Sequence, residues 1–124
     1  MTYYGQNILF LDDNDERIRQ VLSKWPAALV VKTVSDCIAA LKSKNFTTVM
    51  LDFDLTGDEK SSNYKDPESG GEVVRWIIEN KPTITELLLH SHNVPMASRM
   101  SLELKDAGYQ SFMVPFGRGK LWGA

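Results

Sequence analysis

Short apolar runs alternate with segments of helical periodicity along almost the whole chain, and this alternation is the strongest constraint on the fold. Runs such as ILFL (8–11) are typical of strands buried on both faces. Segments such as 14–25, where apolar residues recur at spacings of three and four, indicate helices with one buried face. The predicted strands are 8–11, 28–34, 47–53, 87–90 and 111–114, and the predicted helices lie around 14–25, 35–45, 73–80 and 96–107.

The order of these elements predicts an α/β fold, because strands that alternate with single helices form a parallel sheet with right-handed crossovers. Asn14 or Asp15 is expected to cap the first helix, since both side chains can accept a backbone N–H. Ser35 or Asp36 is expected to cap the second. Only nine residues follow Pro115 and three of them are glycine, so a fifth helix is predicted to be absent or vestigial.

Length and composition narrow the class of protein. The 124 residues predict a single domain over 1–124, and 43% hydrophobic with 24% charged residues is typical of a soluble globular chain. A net charge of −2 gives no electrostatic basis for a nucleic acid polymer as partner. The N-terminus lacks the features of a signal peptide, no apolar run is long enough for a membrane span, and Cys37 is the only cysteine. We therefore expect a cytoplasmic protein without a membrane partner.

Polar clusters follow three of the predicted strands at the point where each strand ends. The first run leads into Asp12-Asp13, the third into Asp52-Phe53-Asp54, and the fourth into His90-Ser91-His92-Asn93. In a parallel sheet the carboxyl ends of the strands share one edge, which is where α/β proteins bind ligands. The sequence therefore predicts one cleft that gathers several carboxylates and both histidines.

The carboxylates of this cleft are candidate metal ligands: Asp12, Asp13, Asp52 and Asp54. Carboxylates that converge on one site repel each other, and a divalent cation relieves that repulsion. Oxygen ligands suit Mg²⁺ or Mn²⁺, so we predict one of these ions as the cofactor. For Asp54 the alternative is a solvated loop residue.

His90 and His92 are the only histidines, and a spacing of two places both on one side of an extended segment. Imidazole exchanges protons near neutral pH and also binds metals. We predict a catalytic or ligand role for His90 and consider the same role for His92. A zinc site through this pair is an alternative, but no cysteine cluster or third histidine supports it.

The polar stretch 56–70 is longer than a usual connection between a strand and a helix. It follows directly on the second acidic cluster, so we interpret it as a lid or a substrate-reading loop, with plain disorder as the alternative. Lys60 and Lys65 would pair with a phosphate if this loop closed over the cleft.

Over residues 7–116 the chain resembles a response-regulator receiver domain. The pair Asp12-Asp13 matches the receiver's Mg²⁺-binding pair, and Asp52 falls at its phospho-accepting aspartate. The resemblance implies a flavodoxin-like, receiver-like three-layer sandwich with a five-stranded parallel sheet of order 2-1-3-4-5. The chain departs from receivers at His90, where they carry Ser or Thr, and at Val114, where they carry the lysine that couples phosphorylation to the switch.

A narrower resemblance is to the cyclic-phosphate processing receiver-like family, in which the scaffold is thought to act as an enzyme. It is carried by Leu11-Asp12-Asp13, Leu51-Asp52-Phe53-Asp54-Leu55, Gly70-Gly71 and His90-Ser91-His92-Asn93. In that family a histidine commonly stands between the two aspartates of the middle motif. This chain has Phe53 there, which leaves His92 as a candidate replacement.

This resemblance implies a metal-dependent phosphoesterase that opens a cyclic phosphate of the nucleotide or ADP-ribose type. The cation would neutralise phosphate charge and activate water. His90 would exchange a proton with the leaving oxygen or the water. Ser91 and Asn93 would hydrogen-bond phosphate oxygens, and in a variant of the mechanism Asp52 is a covalent nucleophile.

Two other functions fit the same cleft. The first is an atypical receiver that signals without catalysis, binding metal and taking phosphate on Asp52. The second is a sequestering protein that binds a cyclic nucleotide signal without cleaving it.

The missing fifth helix leaves one flank of the sheet open near the last strand. Phe116, Leu121 and Trp122 are available to cover this flank, and so is a second copy of the chain. We therefore predict a homodimer.

Overall fold

The predicted alternation of strands and helices is present in the structure. This computed structural model describes residues 7–55 and 60–122, so that 1–6, 123–124 and part of the predicted lid, 56–59, lie outside it. The strands are β1 (Ile8–Leu11), β2 (Leu29–Val31), β3 (Thr48–Leu51), β4 (Glu86–Leu89) and β5 (Ser111–Met113), and the helices are α1 (Asp15–Lys24), α2 (Val34–Ser43), α3 (Gly70–Asn80) and α4 (Val94–Asp106). Within the described ranges, no helix combines the length and apolar character needed to cross a membrane.

The boundary between β2 and α2 differs from the prediction. The strand ends at Val31 instead of continuing to 34, because Thr33 caps the helix. The Thr33 hydroxyl accepts the backbone N–H of Asp36 at 3.1 Å, so Ser35 and Asp36 lie inside the first turn and do not cap it. Asn14 caps α1 as one of the two expected candidates, accepting a backbone N–H of the first turn at 2.9 Å.

The sheet is parallel throughout, and its order β2-β1-β3-β4-β5 confirms the predicted flavodoxin-like topology. Leu11 pairs with Leu51, and Leu51 pairs with Leu89, so three strands end level with one another. The pairing extends one residue further, since Asp52 N donates to Leu11 O and His90 N donates to Leu51 O, both at 3.1 Å. The polar clusters therefore begin side by side at one edge of the sheet.

The strand residues divide between two faces of the sheet. We call one the three-helix face, since it packs against α2, α3 and α4; it includes Leu9, Leu11, Val49, Leu51, Leu87 and Leu89. We call the other the α1 face, since it packs against α1 and the C-terminal segment; it includes Ile8, Phe10, Met50 and Leu88. Side chains alternate along a strand, so the residues two positions beyond Phe10, Met50 and Leu88 continue the α1 face. These residues are Asp12, Asp52 and His90.

A short 3₁₀ helix, Lys120–Trp122, stands where a fifth α-helix would cover the α1 face. The Trp122 ring lies 4.2 Å from the Phe116 ring and 6.2 Å from the Trp25 ring. Its Nε1 donates to the carbonyl oxygen of Val114 at 3.1 Å. The fifth helix is thus vestigial, as predicted, and the aromatic C-terminal segment covers part of the flank while Phe112 stays 48% exposed.

Candidate functional site

Asp12, Asp52 and His90 form the centre of the candidate site. They come from the level ends of β1, β3 and β4, and each offers one ligand atom within 4.8 Å of the other two. All three side chains are buried. Two carboxylates and an imidazole held together out of water form a cluster that must be stabilised by nearby cations or hydrogen-bond donors.

Asp12 has a full set of donors. Its Oδ1 accepts from Asn14 N at 2.9 Å and from Arg17 Nη2 at 3.0 Å. Its Oδ2 accepts from Arg17 Nε at 2.7 Å and contacts His90 Nε2 at 3.1 Å. Burial by itself raises the pKa of Asp12, but the hydrogen bonds from His90 and Arg17 outweigh it and lower that pKa to about 2. Asp12 is therefore ionised at neutral pH, and its roughly four acceptor positions are taken.

Asp52 is the less stabilised carboxylate of the pair. Its Oδ1 accepts the backbone N–H of Phe53 at 2.8 Å, and its Oδ2 lies 3.6 Å from Arg17 Nη2. Burial raises the pKa of Asp52 to about 6, aided by the charge of Asp12 and opposed by His90 and Arg17. Asp52 is the side chain that would gain most from an additional cation.

Arg17 is the residue of this site that the sequence analysis missed. It lies in the first turn of α1, and one nitrogen, Nη2, contacts Asp12 and is 3.6 Å from Asp52. Its side chain stays 29% exposed, and its guanidinium carbon is 6.0 Å from the centre of the Phe116 ring. The signal was its position: a first-turn arginine directly after an acidic strand end lies within reach of that strand end.

His90 is enclosed by aromatic rings. It stacks on Phe10 with ring centres 4.7 Å apart, and the rings of Phe116 and Trp122 meet it edge-on, each at 6.2 Å. Because Asp12 is ionised, the nitrogen facing it, Nε2, carries the hydrogen. Nδ1 is buried and has no hydrogen-bond partner among the described residues. One imidazole nitrogen is thus oriented by Asp12 while the other is left for a ligand or a proton.

His92 has a different environment from His90. Its side chain is exposed, and Nε2 contacts the backbone carbonyl oxygen of Phe116 at 2.8 Å, which requires that this nitrogen donate. Phe116 N in turn donates to the carbonyl oxygen of His90 at 3.0 Å. These two bonds fix the segment after β5 against the segment after β4.

Asp54 is bonded to the loop that follows β3. Its Oδ1 accepts from Ser61 N at 2.8 Å, and its Oδ2 accepts from the amide of Asn93 at 3.0 Å. The same amide donates to Ser61 O at 2.9 Å. Asn93 N donates to the Ser91 hydroxyl oxygen at 3.0 Å. Asp54 and Asn93 thus hold Ser61 in place, and the Asp54 carboxylate is not one of the three groups clustered at Asp12, Asp52 and His90.

A cleft of about 210 Å³ opens beside the cluster; it is lined by Arg17, Asp52, Asp54, Lys60, His90, Ser91, His92, Asn93 and Phe116. Of the predicted site residues that the structure describes, Asp12, Asp13 and Lys65 are not part of this lining. Asp13 is half-buried and acts on Arg17 through its charge, whereas Lys65 is exposed. Asp12 is linked to the cleft through Arg17 and His90. The cleft thus brings two cationic side chains, Arg17 and Lys60, next to the acidic cluster.

The glycine pair at the start of α3 lets that helix approach the site. Gly70 N donates to the carbonyl oxygen of Phe53 at 2.9 Å, and a Cβ atom at Gly70 would lie 1.8 Å from the backbone oxygen of Asp52. A Cβ atom at Gly71 would lie 2.7 Å from the backbone oxygen of Tyr64. Only glycine fits at this close approach, which gives the motif a structural reason.

Fold and site together define a receiver-like α/β protein with a buried cluster of two carboxylates and an imidazole at the carboxyl ends of its strands. Residues 7–106 match the family described as the cyclic-phosphate processing receiver domain. Because the match covers most of the chain, the chain belongs to this family. The match thereby confirms the narrower of the two resemblances drawn from the sequence. A comparison with curated proteins finds no match.

Solved receiver structures share the fold at low sequence identity. A CheY-like receiver domain protein from Methanospirillum hungatei is 14% identical, with a TM-score of 0.58 over 92% of this chain and 83% of that one. The response regulator TrrA from Thermotoga maritima, in complex with Mg²⁺-BeF, is 21% identical, with a TM-score of 0.54 over 90% and 89%. A Burkholderia pseudomallei response regulator with a phosphorylated aspartic acid and a calcium ion is 13% identical, with a TM-score of 0.57 over 94% and 62%. At this level of identity the likeness shows the fold alone.

Proposed function

We propose that the protein is a metal-dependent phosphoesterase that opens a small cyclic phosphate, of the nucleotide or ADP-ribose type, in the cleft beside Asp12, Asp52 and His90. The observation that carries this proposal is the pairing of His90 with an ionised, buried carboxylate at the edge of a cleft lined by cations. Receivers carry a small hydroxyl residue at this position, whereas an oriented imidazole has the chemistry of an acid or a base.

The acidic cluster has the donor set for a divalent cation, for which we propose Mg²⁺. No hydrogen bond from the described residues reaches Oδ2 of Asp52, and burial raises the pKa of this side chain, which a bound cation would lower again. Asp12 lies within reach of the same point, although its oxygens now bond to Arg17. We expect Asp12 and Asp52 to hold the ion, with Asp13 close by. The ion would supply charge neutralisation for the phosphate and a more acidic bound water.

His90 is the proposed proton-transfer residue. Asp12 holds Nε2 and thereby fixes the tautomer and the ring orientation, as a carboxylate does for histidine in hydrolytic triads. The rings of Phe10 and Trp122 exclude water from the imidazole. Nδ1 is then the nitrogen that exchanges a proton with the attacking water or the leaving oxygen.

Arg17, Lys60 and Ser91 are the proposed phosphate ligands. Both cations line the cleft, and a guanidinium can bind two phosphate oxygens at once. The Ser91 hydroxyl oxygen already accepts from Asn93 N, so its own hydrogen is available to a phosphate oxygen. For Asn93, bonded through its amide to Asp54 and Ser61, we propose a supporting position at the cleft wall.

The test is a turnover assay on a panel of nucleotide and ADP-ribose cyclic phosphates, with Mg²⁺ and with chelator. We expect metal-dependent ring opening that falls by at least about a hundredfold in His90→Ala, the effect of losing a general acid or base. His92→Ala is the matched control and is expected to retain most of the activity. Absence of turnover across the panel, or full activity in His90→Ala, would contradict the proposal.

The alternatives give different results in simple binding experiments. A receiver that signals would form a stable adduct with a small phosphodonor, visible by intact mass and absent in Asp52→Asn. The half-buried Val114 at the position of the receiver's coupling lysine argues against this function. A sequestering protein would bind a cyclic nucleotide in calorimetry and release it unchanged.

A further inference from the structure

The guanidinium of Arg17 occupies the space between the two buried carboxylates of the site. It contacts both oxygens of Asp12 through Nε and Nη2, at 2.7 and 3.0 Å, and Nη2 is 3.6 Å from Asp52. These bonds raise the pKa of Arg17 further above its ordinary value, since the charged form is the one they stabilise. The protein therefore carries its own cation in the acidic cluster.

We infer that Arg17 and a divalent metal ion exclude each other at Asp12 and Asp52, and that metal binding transfers the Arg17 guanidinium to the phosphate of the substrate. The metal half of this inference concerns binding alone, and the phosphate half rests on the proposed function.

Exclusion follows from the hydrogen bonds of Asp12. A carboxylate offers about four acceptor positions, and Asp12 uses them for Asn14, for His90 and for two bonds from Arg17. The bond from Asn14 is part of the N-terminal cap of α1, and the bond from His90 is part of the buried core, so we expect both to persist when a metal binds. A metal ion can therefore gain an oxygen of Asp12 only if Arg17 releases it. Charge acts in the same direction, because a guanidinium and a divalent ion within a few ångströms repel strongly at a buried site.

Transfer follows from the position of Arg17 at the cleft wall. Its side chain lines the same cleft as Lys60 and is 29% exposed, so a released guanidinium enters the cleft. Five N–H donors in a rigid fork suit two oxygens of a phosphate. Phosphate bound there would hold Arg17 away from Asp12 and so favour binding of the metal ion to Asp12 and Asp52. By thermodynamic linkage the two ligands then strengthen each other's binding equally.

The experiment is calorimetric titration with Mg²⁺ alone and with inorganic phosphate, on the wild-type chain and Arg17→Gln. We expect Mg²⁺ to bind at least about tenfold more tightly to Arg17→Gln, the equivalent of one charge-assisted hydrogen bond. Inorganic phosphate, titrated at saturating Mg²⁺, is expected to bind about tenfold more weakly. These opposite changes distinguish transfer of the guanidinium from a merely structural role, which would weaken both.

Arg19→Gln is the matched control, because it removes the same charge from the exposed side of the same helix. It is expected to leave both affinities within about twofold of wild type, since exposed charges are screened. Arg17→Lys keeps the charge but not the fork and is expected to fall between wild type and Arg17→Gln. If Arg17→Gln is poorly folded without metal, the rise in its melting temperature on adding Mg²⁺ replaces the titration and should exceed that of wild type.

Mg²⁺ affinity in Arg17→Gln equal to or weaker than wild type would overturn the exclusion. Unchanged phosphate affinity would overturn the transfer. Neither the Mg²⁺ titration nor the phosphate titration uses a cyclic phosphate. Both results could therefore be interpreted even if the protein did not cleave cyclic phosphates.

Discussion

The two faces of the sheet carry different parts of the protein's chemistry. The three-helix face is an apolar layer in which side chains such as Val74, Ile77 and Met100 are fully buried. The α1 face ends in Asp12, Asp52 and His90 and is covered by α1 and the aromatic C-terminal segment. One face therefore stabilises the fold, while the other also holds the charged and titratable groups of the candidate site.

The difference between the faces follows from strand parity. Odd-numbered residues of β1 and β3 face the three helices, and even-numbered residues face α1. A shift of one residue in the polar clusters would have placed them in the apolar layer. Among the residues that the structure describes, no fifth α-helix covers the α1 face, and the rings of Phe116 and Trp122 there meet the ring of His90 edge-on. We conclude that the aromatic C-terminal segment is part of the site as well as of the fold.

The largest effect is expected at the point where the three-helix face touches the site. Gly70→Ala places a methyl group 1.8 Å from the backbone oxygen of Asp52, so α3 must move away from β3. We expect a loss of more than about 4 kcal/mol in the free energy of unfolding. Gly71→Ala, with a nearest approach of 2.7 Å, is expected to lose about 2 kcal/mol. Urea unfolding measures both, and a Gly70→Ala protein as stable as wild type would show that this approach is not tight.

The next pair of substitutions distinguishes residues that only stabilise the fold from residues that also shape the environment of His90. Met100→Ala on the three-helix face is expected to cost about 3 kcal/mol, because Met100 is fully buried. Trp122→Ala on the α1 face is expected to cost about 2 kcal/mol, because Trp122 is half-buried. NMR of the imidazole groups should show a shifted His90 signal in Trp122→Ala and an unchanged one in Met100→Ala. Equal His90 signals in the two variants would refute the division between the faces.

The sequence predicted the parts of the site that depend on local order along the chain. Apolar runs and helical spacing determine which strands are neighbours, and the residue after each run is then fixed at the sheet edge, as for Asp52 and His90. Arg17 was missed because its role depends on how α1 packs over strands distant in sequence. The bonds of Asp54 and Asn93 to Ser61 were missed for a similar reason, since they depend on the path of a loop that has no periodicity.

Within the α1 face, the two buried carboxylates are expected to respond to pH with opposite signs. The pKa of Asp52 is raised from 3.8 to about 6 in the folded state. At pH 7 the folded chain holds a disfavoured charge, so Asp52→Asn should stabilise the metal-free protein by on the order of 2 kcal/mol. This gain should vanish as the pH falls from 6 to 4, because folded wild-type Asp52 then takes up a proton. Chemical unfolding of the wild type and of Asp52→Asn in the presence of chelator, at pH steps from 4 to 7, measures this difference in the free energy of unfolding.

Asp12→Asn is the matched control for that experiment. The pKa of Asp12 is lowered from 3.8 to about 2, so its ionised form adds stability above pH 4 that disappears as the pH falls towards 2. Asp12→Asn is therefore expected to destabilise the protein at pH 7 by about 2 kcal/mol. The same sign of change in both variants at pH 7 would contradict the assigned environments.

The smallest effect on folding is expected at the part of the α1 face that the C-terminal segment leaves uncovered. Phe112 on the edge strand β5 is 48% exposed on this face, and Met113, on the opposite face of the same strand, is 37% exposed. An edge strand with exposed apolar side chains suits association with a second copy, and the homodimer stays a prediction that this strand can test. Phe112→Ser should change the free energy of unfolding of the monomer by less than about 1 kcal/mol but convert a dimer to monomer in sedimentation velocity at micromolar concentration. Leu102→Ser is the control, because Leu102 is 60% exposed on α4, which packs on the three-helix face and not on the α1 face. A wild-type chain that sediments as a monomer would remove the homodimer, and Phe112 would then be an exposed residue without a partner surface.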